Sequence, residues 1–115
     1  MRLQDFKALT FDCYGTLIDW ESGILAAFGT WRKRTGVTAD DNRLLELFAE
    51  AESRIQSEQP TILYPDALAL GLQRIGEKLN APATAEETRA FGQSVKDWPA
   101  FPDSAEALAY LKQHY

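Results

Sequence analysis

Asp12 is the residue of this chain best placed to do chemistry. It closes a short, apolar, β-prone run, Ala8-Leu9-Thr10-Phe11, and opens the stretch Asp12-Cys13-Tyr14-Gly15-Thr16-Leu17, beyond which the pattern turns helical. A carboxylate at the carboxyl end of a strand stands where open α/β sheets bind ligands. That is where catalytic carboxylates sit. Thr16 can close the turn after Gly15, which permits close approach of the backbone. Asp-x-x-Gly-Thr is also an ordinary turn sequence. The apolar run before it and Leu17-Ile18-Asp19-Trp20 after it favour the site. Tyr14 has two readings, a pocket wall and a core ring. Cys13 is expected to be a small buried apolar residue.

Composition narrows the classes of function. With 115 residues the chain is one domain or part of one. Seventeen acidic against twelve basic side chains leave a net charge of -5, which argues against nucleic acid or an anionic membrane as the main partner. Arg32-Lys33-Arg34 reads as the solvated end of a helix, where cations complement the dipole. No apolar run approaches the ~20 residues of a membrane span, and the N-terminus lacks a signal-peptide layout. A cytoplasmic location is the expectation. The lone Cys13 excludes an internal disulfide, and the lone His114 supplies neither a metal cluster nor a Ser/His/Asp triad.

Helices must position the site. Trp20, Ile24, Phe28 and Trp31 predict one helix ended by Gly36, with Asp19 as its N-cap. A second is predicted over about 41–56, with Leu44, Leu45, Phe48, Ala51 and Ile55 on one face and Pro60 beyond it. Leu68, Leu72, Ile75 and Leu79 mark a third over about 66–79. A capping box, Thr84-x-x-Glu87, starts a fourth that runs to about Lys96 and buries Phe91 and Val95. The segment 98–102 is extended by its two prolines. Asp103, with Glu106 completing a capping box, begins a fifth helix that turns Ala105, Leu108 and Leu111 inward. One strand, over about Lys7 to Phe11, and five helices leave the strand with two unpaired edges.

The stretch FDCYGTLIDW, Phe11 to Trp20, resembles the first motif of the haloacid dehalogenase superfamily: apolar strand, Asp, any residue, a variable residue, Gly, Thr, Leu or Val. Most members resembling this family are phosphatases with a second aspartate at the variable position, which protonates the leaving alkoxide. Tyr14 stands there instead. A halide leaves as a stable anion and needs no proton, so Tyr14 points to the 2-haloacid dehalogenase branch. The resemblance implies an α/β fold: a Rossmann-type core begun by residues 1–17, a helical cap inserted over 18–98, and a return to the core over 99–115 through Phe101-Pro102-Asp103. The chain by itself is then mostly α-helical. It would span about the first half of a family member, and this 115-residue piece is expected to be inactive alone.

Residue by residue, the resemblance makes Asp12 the nucleophile that forms an ester with carbon 2 of a small 2-haloacid. Thr16 is implied to orient its carboxylate, and Tyr14, Gly15 and Cys13 to stand at substrate-binding positions. No cofactor and no metal are implied. The alternative, a phosphatase of the same superfamily, needs Mg²⁺ with Asp12 as a ligand. The partners implied are a small-molecule substrate, together with the missing C-terminal half or a second chain, a homo-oligomer included. A rival from another class is a non-catalytic helical binding module. One departure stands out: where the branch carries an arginine to hold the halide, this chain reads Leu47-Phe48-Ala49-Glu50-Ala51-Glu52, with Arg43 and Arg54 elsewhere on the helix. A carboxylate facing a leaving halide repels it.

Overall fold

The computed structural model describes residues 1–115. Six α-helices follow one another: α1 Trp20–Ala27, α2 Gly29–Thr35, α3 Asp41–Glu58, α4 Tyr64–Lys78, α5 Ala85–Gly92 and α6 Ser104–Lys112. Short 3₁₀ turns at Leu3–Asp5 and Gln93–Asp97 complete the regular structure. The chain is mostly helical, and none of its helices is long and apolar enough to cross a membrane.

Local side chains decide where the helices begin. Asp19 accepts from the Ser22 N–H (3.3 Å) and hydroxyl (2.6 Å) at the start of α1, and Asp40 accepts from the Arg43 N–H (2.8 Å) at the start of α3. Thr84 and Glu87 form the reciprocal capping box before α5, at 2.9 and 3.1 Å. Each arrangement satisfies N–H groups that the helix itself leaves unpaired. Pro65 sits in the first turn of α4, where its missing N–H costs nothing.

The apolar faces of α1 to α5 then close on one another. Phe28 and Phe91 meet with ring centroids 5.0 Å apart, Phe28 and Trp31 at 5.7 Å, and Phe48 and Phe91 at 6.2 Å. Leu44, Leu47, Leu68, Leu72 and Ile75 fill the space around them. The Trp31 indole, 1% exposed, donates to the Ala81 carbonyl at 2.7 Å, so its one polar atom is paired. Glycines set the closest approaches. A Cβ on Gly92 would stand 2.4 Å from the Pro65 carbonyl oxygen, and one on Gly23 would stand 2.4 Å from Trp98 Cγ.

A fork of charge-assisted bonds ties α2 to α5. Arg34 Nε and Nη2 donate to Glu87 Oε2 and Oε1 at 3.0 and 2.7 Å, and Nη2 also reaches the Pro82 carbonyl at 2.8 Å. The guanidinium, and next the Thr84 N–H, hold the Glu87 carboxyl down at about 2, from an ordinary 4.5.

Several expectations need correction. The strand at Lys7 to Phe11 does not form: residues 8–13 belong to neither helix nor strand, because this chain offers them no ladder partner. The single helix expected from Trp20 to Gly36 is broken at Phe28, next to Gly29, a poor helix former. Helix α5 stops at Gly92 and tightens into the 3₁₀ turn that carries Trp98 down onto Gly23. Leu47 rather than Leu45 is buried on α3. Asp103 makes no side-chain cap; the Ser104 N–H is taken by the Phe101 carbonyl at 3.0 Å. On α6, Ala105 and Leu108 are exposed and Leu111 is half-buried, so its apolar face is not core.

Two outcomes test this packing. Gly92→Ala is expected to cost about 1–3 kcal/mol through the clash with Pro65, and Gly29→Ala, with open space around it, to be neutral or stabilising; urea unfolding compares them. Glu87 binds its proton less tightly folded than unfolded, so the stability it adds is complete above pH 4.5 and lost as pH falls towards 2. Glu87→Gln is expected to lower the neutral-pH urea midpoint and flatten its acid slope.

Candidate active site

The turn after Asp12 is built on one carbonyl. Cys13 O accepts from the N–H groups of Thr16, Leu17 and Ile18 at 3.2, 2.8 and 3.0 Å, and the Gly15 N–H donates to the Ile18 carbonyl at 2.9 Å. Gly15 adopts φ +86°, where a side chain is strained. The place of its missing Cβ lies 3.4 Å from the Trp20 indole nitrogen, an ordinary contact. Conformation, not space, therefore selects glycine here.

This turn folds Thr16 back over Asp12. The Thr16 hydroxyl donates to Asp12 Oδ2 at 2.7 Å. Oδ1 has no hydrogen-bond partner, no Lys or Arg pairs with the carboxylate, and both residues are exposed. The structure thus brings Asp12, Gly15 and Thr16 together. Cys13 departs from expectation: its side chain is exposed, since its backbone carbonyl rather than its thiol organises the turn.

Tyr14 joins the loop to the helices and is not a buried core ring. Its ring stacks on Tyr64 at the start of α4 (centroids 5.7 Å, planes 24° apart) and meets Trp98 edge-on (5.5 Å, 74°), yet it stays 45% exposed. Tyr64 and Trp98 touch each other at 6.2 Å and 82°. The Trp98 indole donates to the Ser94 hydroxyl at 3.1 Å, which donates to the Phe91 carbonyl at 2.7 Å, so the ring is fixed from behind. Beside the loop, two crossing segments are pinned. The Asp19 N–H donates to the Pro99 carbonyl (2.8 Å), while the Leu17 carbonyl accepts from the Phe101 N–H (3.0 Å) and the Ser104 hydroxyl (2.7 Å).

Charge around the cluster is negative. Burial pushes the Tyr64 phenol well above the ordinary tyrosine value of 10.0, and the nearby Glu52 carboxylate pushes it further. Glu50 lies elsewhere, 3.8 Å from Lys78 on α4. Arg43 pairs with Glu46 at 3.4 Å. Arg54 lines a pocket of about 140 Å³ between α3 and α4 whose walls include none of residues 12–16. No three His, Cys, Asp or Glu side chains stand close enough together to hold a metal ion.

Tyr64, Trp98, Trp20 and Glu52 complete the surroundings of Tyr14 and Gly15; sequence reasoning assigned neither Tyr64 nor Trp98 to the site, met Trp20 only as the end of the motif stretch and a residue of the first helix, and met Glu52 only in the acidic stretch where the branch carries an arginine. Tyr64 lies just before the helix predicted over about 66–79, though α4 begins at Tyr64 itself, and Trp98 opens the segment predicted to be extended. Their meeting with Tyr14 is a matter of how α1, α4 and the 3₁₀ turn pack. A scan against protein-family models finds no match, and a search of curated proteins finds none.

Tyr14→Ala is expected to remove two ring contacts, worth about 0.5–1.5 kcal/mol each, and to speed amide exchange at Leu17 and Ile18, whereas Tyr14→Phe keeps both. In an ultraviolet titration, part of the phenolate absorbance is expected only well above pH 10, and Glu52→Gln to move that part down.

Proposed function

We propose that the chain is the opening part of a haloacid dehalogenase-like hydrolase, in which residues 1–17 and 99–115 belong to a Rossmann-type α/β core and residues 18–98 form its helical cap. One observation carries the reading: the 2.7 Å bond from the Thr16 hydroxyl to Asp12 Oδ2. It holds one carboxylate oxygen and leaves the other free to react.

In this reading Asp12 Oδ1 attacks carbon 2 of a small 2-haloacid. The carbon–oxygen bond forms as the carbon–halogen bond breaks, and the halide takes the bonding pair. No proton is needed at that step, which fits an aromatic residue at position 14. Water then attacks the Asp12 carboxyl carbon of the ester, releasing a 2-hydroxy acid and a proton and restoring the carboxylate. Tyr14, held by Tyr64 and Trp98, supplies an apolar wall beside the reacting carbon. The Mg²⁺-dependent phosphatase fits these residues less well. Tyr14 stands where the aspartate that would protonate an alkoxide is expected.

In the protein that bears this chain, Asp12→Asn is expected to abolish halide release from 2-chloropropionate and Thr16→Val to lower it roughly 10- to 100-fold through loss of positioning. Tyr14→Phe is expected to keep most of it, and a chelator to leave it unchanged. Halide release that survives Asp12→Asn, or that a chelator removes, overturns the reading.

A further inference from the structure

We propose that Ser104 is a positioning residue for the Asp12 carboxylate, acting on its loop from the returning segment. The inference rests on the reaction proposed above and adds a residue which that reaction does not itself use. Ser104 opens α6 and is the sole polar residue among the buried ones, 6% exposed. A serine that caps a helix turns its oxygen to the first N–H groups of that helix. Here the hydroxyl does something else. It donates at 2.7 Å to the Leu17 carbonyl, 87 positions away, and accepts from no N–H of α6. The neighbouring Asp103 makes no side-chain cap either. The Ser104 hydroxyl therefore serves the loop rather than its own helix.

The tie reaches the carbonyl on which the turn hangs. The Leu17 carbonyl and the Ile18 N–H belong to one peptide group, and that N–H donates to the Cys13 carbonyl at 3.0 Å. A hydrogen bond at one end of a peptide polarises it and strengthens the bond at the other. Cys13 adjoins Asp12 and Leu17 adjoins Thr16, so both partners of the 2.7 Å hydroxyl–carboxylate bond stand next to groups that the tie holds.

Nothing else within the chain aims the carboxylate. Asp12 is exposed and Thr16 is its one side-chain partner, so the carboxylate points where the loop points. The Phe101 N–H also donates to the Leu17 carbonyl, at 3.0 Å. Loss of the hydroxyl thus leaves a backbone tie in place and loosens the loop without releasing it. A displacement of about 1 Å at a reacting group costs up to about 100-fold in rate.

Steady-state kinetics in the protein that bears this chain tests the role, with circular dichroism showing each variant folded at the assay temperature. Ser104→Ala is expected to lower kcat for halide release from 2-chloropropionate about tenfold and to leave KM within about twofold, since aim rather than binding is lost. Ser104→Thr, which keeps the donor, is expected to retain most of kcat. Unchanged kcat in Ser104→Ala, a loss carried by KM, a Ser104→Thr no better than Ser104→Ala, or a Ser104→Ala that fails to fold overturns the proposal. Asp12→Asn separates it from the reaction: halide release that survives Asp12→Asn overturns the reaction itself, whereas release that Asp12→Asn abolishes and Ser104→Ala leaves intact overturns the role of Ser104 alone.

Discussion

The contact on which the rest depends is the seat of Trp98 on Gly23. The indole lies so close to α1 that no Cβ fits between them, and it is 6% exposed. From this seat one edge meets Tyr14 and another meets Tyr64, while its nitrogen is tied through Ser94 to the end of α5. The next residue, Pro99, accepts the Asp19 N–H. One side chain therefore joins α1, α4, α5, the Asp12 loop and the returning segment. Close packing of this kind transmits any change in shape to all of them.

The loop is ordered at two levels of strength. Its own turn is backbone work, three N–H groups on the Cys13 carbonyl and a glycine at positive φ, and needs nothing from the bundle. Its orientation relative to the helices is side-chain work, done by the Tyr14 ring and by the polar ties at Leu17 and Asp19. For the proposed reaction this division matters. The Thr16 hydroxyl prepares the carboxylate locally, while the aromatic wall fixes what can stand in front of it.

Electrostatics sets a further condition on that reaction. Of the two carboxylates that the sequence set against halide departure, Glu50 reaches Lys78 and is spent on the α3–α4 face, whereas Glu52 acts on Tyr64 within the aromatic cluster. In the proposed reaction, a carboxylate beside the aromatic cluster opposes an anion that leaves there.

The helical content, the Asp19 cap, the Thr84–Glu87 capping box and the Gly36 stop were legible in the sequence because each is a short-range property acting within one turn of itself; the Asp103 cap and the unbroken helix from Trp20 to Gly36 were not met. The pairing of Asp12 with Thr16 was legible for the same reason, four residues and a glycine apart. What the sequence could not decide were relations across the chain. A β-prone run at residues 8–11 becomes a strand only with a ladder partner, and the apolar stripe of α6 becomes core only with a surface to cover it; neither is met within these 115 residues. Tyr64 reaches Tyr14, and Glu52 reaches Tyr64, only because α3 and α4 pack against α1 and α5, a placement that no local pattern encodes. Local chemistry thus made the turn, its Asp12–Thr16 bond and the helices, and tertiary packing alone decided which rings surround Tyr14.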